Sequence, residues 1–571
     1  MSEINNRYQL WASHPSLEPA LSEELQTIAK DPAAIKDRFW KDLSFGTGGL
    51  RGVIGAGTNR MNIYTVGKAT QGLAQYTKTL SATPTVAIAY DTRNFSSVFA
   101  HHAAKVLCAN GIQVYVYESP RPTPMLSFAL RTLQAHAGIV ITASHNPKEY
   151  NGFKVYGDDG CQITDSAAKD ILACIETVDL FSVPVMDLTL GKAHGLFHTM
   201  GKEMDALYYA QVLSLSLEKN LVSTKASSLH ILYTPLHGTG AIPVSTVLTE
   251  QGYTLSYVKE QMKEDGDFST LLSPNPEDPS AYTLAKSQAE KTHPDVIFAT
   301  DPDCDRIGVL AKNQGGNYAL LSGNQMGALL CQYVLQTRKA QQRLPENGGV
   351  IKTIVTSDLP KRICSAYHIR LFEVLTGFKY IGEMIGQWEK DQTCHFLLGF
   401  EESYGYLAGD FVRDKDAVIA AMLIAQMTLH YHVQGLTLFD ALETLFQTYG
   451  FAEEKLLSIT LPGAQGQEKI NSLMEKMRTG YRHFFKDEAL VRVEDYQAST
   501  SLNLSTNTLT PLTLPSSNVL KYVFADDSWL VLRPSGTEPK IKIYLAALGD
   551  SPHVSKQRLE ELEKLASLIL S

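Results

Sequence analysis

The sequence predicts an α/β fold in which three similar units of strands and helices are followed by a different C-terminal segment. Three times along the chain, short and nearly continuous apolar strands alternate with helices, which is typical of mostly parallel sheets covered on both faces. The length of 571 residues, 44% of them hydrophobic, leaves room for about four domains. In each unit the last strand runs into a polar loop, and open α/β sheets bind ligands at the carboxyl ends of their strands. Three such loops indicate one cleft shared between domains.

The predicted elements follow in chain order. Residues 1–45 predict amphipathic helices interrupted by Pro15, Pro19 and Pro32. The three units are predicted to contain strands 86–90, 112–117 and 138–142 with helices 96–110 and 124–133; strands 230–233, 255–258 and 296–299 with helix 242–251; and strands 350–355, 370–374 and 395–399 with helix 359–367. The C-terminal segment is predicted to contain strands 456–460, 519–524 and 529–532 and a helix from 555. The stretch 498–517, rich in Ser, Thr, Asn and Pro, predicts an exposed loop.

The charge and the cysteines exclude several classes of protein. With 51 Lys+Arg against 60 Asp+Glu the net charge is −9, and this mild acidity gives no broad surface for nucleic acid or for an anionic membrane. The seven cysteines are scattered singly, so neither a disulfide framework nor a zinc site is predicted. No stretch is apolar for long enough to cross a bilayer, and no secretory signal pattern is visible. A cytoplasmic protein is therefore expected.

The strongest group of chemical side chains is an acidic loop after the last predicted strand of the second unit. Asp301, Asp303 and Asp305 alternate along it, and residues two apart in an extended segment point to one side. Three carboxylates held close together repel one another unless a cation lies among them, and all-oxygen ligands suit Mg²⁺. An EF-hand calcium loop would need Gly and Glu where this sequence has Arg306 and Lys312. A magnesium site is predicted, with a solvated acidic turn as the alternative.

Two further loops carry hydroxyl and carboxylate groups at strand ends. Ser144, in Thr-Ala-Ser-His-Asn-Pro, is placed as a nucleophile with His145 beside it, and an ordinary polar turn is the alternative. The G-x-S-x-G elbow of an α/β-hydrolase is absent. Glu401 and Ser403 lie in the segment Gly-Phe-Glu-Glu-Ser-Tyr-Gly. Their carboxylate and hydroxyl groups could hydrogen-bond to neighbouring hydroxyls of a sugar, and a charged surface turn is the alternative. Other residues of this third unit that could line or charge the same cleft are Thr376, Gly377, Lys379 and Lys415.

Two glycine-containing loops could bind phosphate. The first follows a predicted strand and offers an arginine, two hydroxyls and a glycine-opened backbone, which suit a phosphate dianion. Its residues are Arg533, Ser535, Gly536 and Thr537, and a polar hairpin is the alternative. The second, 46–52, is glycine-rich and contains the cation Arg51; a flexible linker is its alternative. No P-loop sequence occurs, so neither is a P-loop nucleotide site.

Taken in this order, the motifs resemble the α-D-phosphohexomutase superfamily, the phosphoglucomutase/phosphomannomutase family. The resemblance covers nearly the whole chain, from Gly-Thr-Gly-Gly-Leu-Arg-Gly to Arg-Pro-Ser-Gly-Thr-Glu-Pro-Lys, and is closest to long bacterial phosphoglucomutases and eukaryotic phosphopentomutase-like relatives. It implies three topologically similar α/β domains with mostly parallel mixed sheets and a smaller C-terminal α+β domain around a central cleft. The domains carrying the phosphoserine, metal-binding, sugar-binding and phosphate-binding loops are expected at 1–210, 211–322, 323–454 and 455–571.

The resemblance also implies a role for each motif residue. The residues implied in catalysis are Ser144, as a phosphoserine, Lys154, in proton transfer, Arg51 and His145. The implied ligands of Mg²⁺ are Ser144, Asp301, Asp303 and Asp305, with Arg306 near the metal and the phosphoserine. The implied substrate-binding residues are Glu401, Ser403, Thr376, Gly377, Lys379, Lys415, Arg533, Ser535, Gly536 and Thr537.

The implied activity is the interconversion of glucose 1-phosphate and glucose 6-phosphate through a phosphoserine enzyme, with glucose 1,6-bisphosphate as activator and intermediate. A phosphopentomutase or a phosphomannomutase on the same scaffold is the alternative, and a sugar phosphatase or a non-catalytic sugar-phosphate binder is a more distant one. The expected partners are small sugar phosphates, with no nucleic acid and no membrane. A monomer or a small homo-oligomer is expected.

Overall fold

The computed structural model describes residues 2–46, 48–461, 463–486, 488–535 and 540–570. The chain forms two compact units, and the third of the four predicted domains contributes to both. The first unit runs to Ser322 and includes Phe378–Gly435, and the second contains Gly323–Gly377 and the chain from Leu436. Across the described ranges, no helix has the length and apolar character needed to span a membrane.

Three helices open the first unit, as predicted. They are α1 (Ser2–Ala12), α2 (Pro19–Thr27) and α3 (Pro32–Phe39). Pro19 and Pro32 stand in the first turns of α2 and α3, where a backbone N–H would have no partner within the helix. The helices enclose an aromatic cluster in which Trp11 packs edge-on against Phe39. This cluster is a small core beside the first α/β domain.

A six-stranded mixed sheet forms the first α/β domain. Its strands are β1 (Gly49–Val53), β2 (Thr85–Tyr90), β3 (Gln113–Tyr117), β4 (Ala137–Ile141), β5 (Tyr150–Gly157) and β6 (Phe197–Met200), in the order β1-β5-β4-β2-β3-β6. Its helices are α4 (Ile63–Leu80), α5 (Ser96–Ala109), α6 (Thr123–Leu133), α7 (Asp165–Glu176), α8 (Leu188–Ala193) and α9 (Lys202–Ser214). Strands β4, β2, β3 and β6 are parallel, as predicted, whereas β5 and β1 complete the sheet in antiparallel fashion.

The glycine-rich stretch predicted as a loop is in part the edge strand β1. In its pairing with β5, Gly49 lies opposite Lys154 and Arg51 lies opposite Gly152. Gly49 has φ +148°, and a Cβ there would lie 1.9 Å from the carbonyl oxygen of Phe153, so the close approach requires glycine. The predicted loop conformation is therefore wrong from Gly49 onward, because the glycines allow close strand pairing, which also argues against the alternative of a flexible linker.

The second domain repeats this arrangement. Its strands are β7 (His230–Thr234), β8 (Thr254–Tyr257), β9 (Val296–Thr300), β10 (Ile307–Lys312) and β11 (Tyr318–Leu321), in the order β11-β10-β9-β7-β8. Its helices are α10 (Lys219–Lys225), α11 (Ala241–Glu250) and α12 (Thr283–Thr292). The strands β8, β7 and β9 are parallel, and β10 and β11 form an antiparallel edge. The predicted strands and helix of this unit are confirmed.

The third region contributes elements to both units. In the second unit these are α13 (Gly323–Ala340), β12 (Gly348–Thr353), α14 (Leu359–Ala366) and β13 (Arg370–Val374), with β12 and β13 parallel. In the first unit they are α15 (Phe378–Asp391), β14 (His395–Glu401), β15 (Gly405–Leu407) and α16 (Ala417–His432), with β14 and β15 antiparallel. Helix α16 is buried on all sides over most of its length, which explains its almost continuous apolar sequence.

A seven-stranded antiparallel sheet dominates the rest of the second unit. The elements are α17 (Leu438–Tyr449), β16 (Phe451–Thr460), α18 (Gly463–Phe484), β17 (Leu490–Asp495), β18 (Thr500–Asn503), β19 (Thr508–Pro511), β20 (Leu520–Phe524), β21 (Trp529–Pro534), β22 (Lys540–Gly549) and α19 (Pro552–Leu570). The sheet order is β16-β22-β21-β20-β17-β18-β19. Residues of α18 and α19 form one core with this sheet. The predicted strands and C-terminal helix are confirmed.

The predicted exposed loop at 498–517 is wrong where the chain forms the hairpin of β18 and β19. Leu502 lies opposite Leu509 in this hairpin, and β18 pairs with β17. The Asn503 side chain accepts the amides of Ser505 and Thr506 and closes the turn. Composition indicates a loop, but threonine-rich segments adopt β structure where a neighbouring strand offers its edge.

Candidate active site

The polar loops of the first unit share one structural position. Residues 142–149 join β4 to β5, residues 301–306 join β9 to β10, and residues 402–404 join β14 to β15. In each case the two strands are antiparallel neighbours. Both ends of each loop are therefore held by paired backbone, which fixes polar side chains more firmly than a long crossover connection would.

Ser144 is buried at the tip of the first of these loops. It is 3% exposed and has φ +52°, in the left-handed region. Its Oγ donates a hydrogen bond to Oδ2 of Asp301 at 2.8 Å and lies 3.3 Å from Nδ1 of His145. A serine in this conformation is strained, and such strain concentrates at functional sites. The fold thus joins the predicted nucleophile to the predicted metal-binding loop.

The three aspartates converge as predicted. Oxygen atoms of Asp301, Asp303 and Asp305 lie within 4.8 Å of one another, and none of these residues is more than 2% exposed. The backbone, however, forms a turn rather than the expected extended segment: Cys304 has φ +51°, and its amide donates to the carbonyl oxygen of Asp301 at 2.9 Å. Oδ1 of Asp301 also accepts the amides of Asp305 and Arg306, each at 3.1 Å. The turn is thus organised around the first aspartate.

The chemistry of this triad fits a divalent cation. Oδ1 of Asp303 and Oδ1 of Asp305 are buried and have no hydrogen-bond partner among the residues that the structure describes. Burial, followed by the charges of Asp303 and Asp305, raises the pKa of Asp301 well above its usual range. A cation among the three carboxylates would remove this repulsion, and hard oxygen donors are the ligands that Mg²⁺ prefers.

Two lysines offset part of the negative charge of the triad. Nζ of Lys154 donates to Oδ2 of Asp303 at 2.9 Å, and Nζ of Lys415 lies 3.2 Å from Oδ2 of Asp305 and 3.1 Å from Oδ1 of Asp414. Burial opposes the charge on Lys154, but the attraction of Asp303 and Asp305 outweighs it, so the pKa of Lys154 is raised. Burial likewise opposes the charge on Asp303, yet Lys154 leads the contacts that lower the pKa of Asp303. Lys154 and Asp303 therefore form an ion pair in which both side chains are charged.

The predicted catalytic residues His145 and Arg51, and Arg306, which was predicted near the metal, are associated with residues 142–149, the serine loop. Burial first, and then the charges of Arg306 and Arg51, lower the pKa of His145 well below its usual value, so its imidazole is neutral at neutral pH. Nη1 of Arg51 donates to Oδ1 of Asn146 at 3.3 Å. Nη1 of Arg306 donates to Oε1 of Glu277 at 2.6 Å. The charges of both arginines thus act on His145, the neighbour of Ser144 in the sequence.

The predicted sugar-binding residues of the first unit occupy two places. Glu401 ends β14 as a buried carboxylate. Burial opposes the charges of Arg306 and Lys415, but neighbouring carboxylates raise both pKa values, led by Glu277 for Arg306 and by Asp305 for Lys415, and Glu401 adds a smaller contribution to each. Ser403 is half-buried in the following turn. Nζ of Lys379, by contrast, donates to Oδ1 of Asp165 at 2.7 Å, at the start of α7. Glu401 therefore adjoins the cations of the site, whereas the recorded carboxylate partner of Lys379 lies outside the triad.

The remaining predicted substrate residues belong to the second unit or lie outside the described residues. Thr376 and Gly377 precede α15, and Nη1 of Arg533, near the end of β21, donates to the hydroxyl of Tyr544 at 3.5 Å. The amide of Ser535 donates to the carbonyl oxygen of Lys540 at 2.8 Å. Gly536 and Thr537 lie outside the described residues. The substrate-binding roles of these residues stay predictions.

Two neighbours of the triad were missed by sequence reasoning. Oγ1 of Thr123 donates to Oδ2 of Asp303 at 2.9 Å, and its amide donates to the carbonyl oxygen of the same aspartate at 2.9 Å. Thr239 donates to the carbonyl oxygen of Pro302 from its amide at 2.9 Å and from its hydroxyl at 3.0 Å. Both threonines follow parallel strands, and that position is the one signal in the sequence that points to them.

Substitution Gly238→Ala should weaken metal binding without unfolding the protein. A Cβ at Gly238 would lie 2.5 Å from Cα of Pro302 and 2.9 Å from the carbonyl oxygen of Asp301, so the acidic loop must shift. Displacing the supports of metal ligands typically lowers metal affinity about 10–100-fold. Titration calorimetry with Mg²⁺ measures the change. Gly315→Ala is the control, because its Cβ would meet no atom closer than 3.4 Å; equal affinities in the two variants would contradict the prediction.

The chain matches the models of one protein family in four consecutive segments. The four models of phosphoglucomutase/phosphomannomutase match the chain in order: α/β/α domain I at 42–181, α/β/α domain II at 207–316, α/β/α domain III at 322–449 and the C-terminal domain at 485–564. The chain therefore belongs to the phosphoglucomutase/phosphomannomutase family, and the resemblance seen in the motifs is confirmed. The matches also confirm the four-domain α/β architecture, while the domain boundaries given above stay predictions.

Within the family, the curated relatives include phosphoglucomutases. That of Staphylococcus haemolyticus (strain JCSC1435) is 38% identical over 516 residues, 90% of this chain and 92% of the relative. That of Staphylococcus aureus (strain USA300) is 39% identical over 516 residues, 90% of each chain. Two solved structures share the fold. A putative phosphomannomutase from Thermus thermophilus has a TM-score of 0.67 and 21% identity, and the match covers 92% of this chain and 99% of that one. The phosphoglucomutase pp63/parafusin from Paramecium has a TM-score of 0.68 and 18% identity, and the match covers 92% of this chain and 94% of that one.

Proposed function

We propose that this protein acts as a phosphoglucomutase, which interconverts glucose 1-phosphate and glucose 6-phosphate through a phosphoserine. Curated phosphoglucomutases match 90% of the chain, which supports this activity. The observation that carries the proposal is the 2.8 Å hydrogen bond from the strained, buried hydroxyl of Ser144 to the carboxylate of Asp301. A protein that only binds sugar phosphates needs no such pairing of a nucleophile with a metal-binding triad, whereas covalent phosphoryl transfer needs both.

The first transfer moves the phosphoryl group from Ser144 to the sugar. A bond forms between phosphorus and O6 of glucose 1-phosphate, and the bond between phosphorus and Oγ of Ser144 breaks. O6 loses its hydroxyl proton in this step, and Oγ gains a proton. Lys154 lies on the triad and is our candidate for moving this proton. Arg51 and Arg306 would balance the charge of the phosphoryl oxygens. Mg²⁺, when held by the three aspartates and a phosphoserine oxygen, supplies further charge neutralisation.

The second transfer regenerates the phosphoserine. Glucose 1,6-bisphosphate turns around so that its other phosphate faces Ser144, returns that phosphoryl group to Oγ, and leaves as glucose 6-phosphate. A phosphate at each end lets one phosphate-binding loop serve both orientations. We assign that loop to Arg533, Ser535, Gly536 and Thr537, sugar hydroxyl contacts to Glu401 and Ser403, and further substrate contacts to Thr376, Gly377, Lys379 and Lys415.

Phosphorus NMR with separate sugar esters tests the proposed substrate. The purified protein, Mg²⁺ and a trace of the matching bisphosphate are incubated with glucose 1-phosphate, mannose 1-phosphate or ribose 1-phosphate. We expect the glucose ester to be converted to its 6-phosphate fastest. Faster conversion of the mannose or ribose ester would move the protein to the phosphomannomutase or phosphopentomutase activity while keeping the mechanism.

The same spectra separate the two remaining alternatives. Inorganic phosphate as the main product would indicate a sugar phosphatase, in which water rather than a sugar hydroxyl takes the phosphoryl group. Unchanged spectra for all three esters, together with binding of the esters in calorimetry, would indicate a non-catalytic binder. Either result would overturn the proposed function.

A further inference from the structure

The side chain of Arg93, which no motif singled out, lies beneath the serine loop. It is 3% exposed, and its guanidinium group donates to three backbone carbonyl oxygens of that loop, residues 142–149, and to one in the first residue of β5. Nη2 contacts the carbonyls of Ser144 and Asn146, and Nη1 contacts those of Pro147 at 2.9 Å and Tyr150 at 3.3 Å. A single planar guanidinium group therefore binds carbonyl oxygens between Ser144 and Tyr150.

Arg93 is itself held from two sides. Its amide donates to Oδ1 of Asp91 at 3.0 Å, and its Nε lies 3.4 Å from Oδ2 of the same carboxylate. The hydroxyl of Ser96 donates to Oδ1 of Asp91 at 2.6 Å, so this carboxylate is fixed in turn. On the other side, the ring of Phe268 from the second domain lies 5.0 Å from the guanidinium carbon. The orientation of the guanidinium group, whose N–H donors form a planar fork, is thus set by contacts from both the first and the second domain.

We propose that Arg93 is a positioning residue for phosphoryl transfer, which keeps Ser144 in its left-handed conformation with Oγ directed at Asp301. The inference rests on the proposed function, because it assigns Arg93 to the transfer step of that reaction. A serine at φ +52° relaxes unless its surroundings hold it. Arg93 binds the carbonyl of this serine and three carbonyls after it, so loss of the fork would release the loop. A misplacement of about 1 Å at a reacting atom lowers a rate by about 10²-fold.

The test compares Arg93→Lys with Arg60→Lys. Lysine keeps the positive charge but lacks the planar fork, so it holds fewer of the four carbonyls. Arg60 is a similarly buried arginine of the first unit that donates to the carbonyls of Asp37 and Asn59 and to the Asp37 carboxylate, none of them in the serine loop. The rate at which glucose 1,6-bisphosphate phosphorylates each protein is followed by intact mass, with unfolding temperature and hydrogen exchange of the loop amides measured in parallel.

We expect Arg93→Lys to lower the phosphorylation rate by about 10²-fold and to speed amide exchange in the loop, with unfolding temperature and sugar-phosphate affinity close to those of Arg60→Lys. Equal phosphorylation rates in the two variants would overturn the inference, as would a loss in proportion to unfolded protein. If Arg93→Lys does not fold, the Asp91→Asn variant replaces it in the test. This substitution keeps the shape of the side chain but removes the negative charge that orients Arg93, so we expect the same slowed phosphorylation. A normal phosphorylation rate in Asp91→Asn would overturn the inference. Absence of phosphorylation in the unaltered protein would instead overturn the proposed function, so the two failures are distinguishable.

Discussion

Replacement of Ser144 by alanine should abolish turnover while leaving sugar-phosphate binding nearly unchanged. The hydroxyl is the proposed carrier of the phosphoryl group, and the methyl group that replaces it has no oxygen with which to form the ester or to donate to Asp301. Loss of a covalent nucleophile typically lowers kcat by at least about 10⁴-fold. Steady-state kinetics and calorimetry with glucose 1-phosphate measure the two effects separately.

Ser127→Ala is the matched control for this experiment. Its hydroxyl is similarly buried in the same domain, where it donates to the carbonyl oxygen of Gly160 and accepts the amide of Arg413, and among the described residues it makes no hydrogen bond to the triad. We expect this variant to lose stability, by about 1–3 kcal/mol for the partners left unsatisfied, and to keep its turnover. Substantial turnover by Ser144→Ala would contradict the covalent mechanism.

Substitution Asp303→Asn should have the second largest effect. It removes a buried negative charge from the proposed magnesium site and takes the ionic partner from Lys154 and an acceptor from Thr123. A metal ion contributes several kcal/mol of charge stabilisation in the transition state, so kcat should fall by about 10³-fold at a fixed Mg²⁺ concentration. Titration calorimetry should show a parallel loss of Mg²⁺ affinity, and that loss is a readout independent of activity.

Glu290→Gln serves as the comparison for Asp303→Asn. Glu290 is an exposed carboxylate on α12 of the same domain, so its loss changes the net charge equally without touching the site. Its Mg²⁺ affinity and kcat should match those of the unaltered protein. If Asp303→Asn bound Mg²⁺ as tightly as Glu290→Gln does, the triad would not be the magnesium site.

Candidate catalytic and metal-binding residues can be predicted from the sequence where several chemically active side chains lie within one short loop. Asp301, Asp303 and Asp305 alternate within a few positions, and Ser144 stands directly after a buried strand, so both loops are visible without any knowledge of pairing. The alternation was interpreted as extended backbone, whereas the loop is a turn with Cys304 in the left-handed region. The same convergence arises because backbone amides gather around the carboxylate of the first aspartate.

The residues that sequence reasoning missed act through contacts between distant segments. Arg93 and Thr123 follow strands β2 and β3, and nothing beside them in the sequence shows that the serine loop and the acidic loop lie against them. The glycines of β1 likewise predict a loop, and the strand becomes apparent only from its pairing with β5. Local patterns therefore predict the candidate reacting groups, whereas the residues that hold those groups in place become visible only once the sheet order is known.

The most direct test of the central claim follows the phosphoryl group from Ser144. The phosphoenzyme, labelled with ³²P on Ser144 and freed of excess bisphosphate, is mixed with unlabelled glucose 1-phosphate in a single turnover. We expect the label to leave the protein and to appear at O6 of the glucose, first in glucose 1,6-bisphosphate and then in glucose 6-phosphate. Label released as inorganic phosphate, or retained on the protein while glucose 6-phosphate forms, would contradict transfer through this serine.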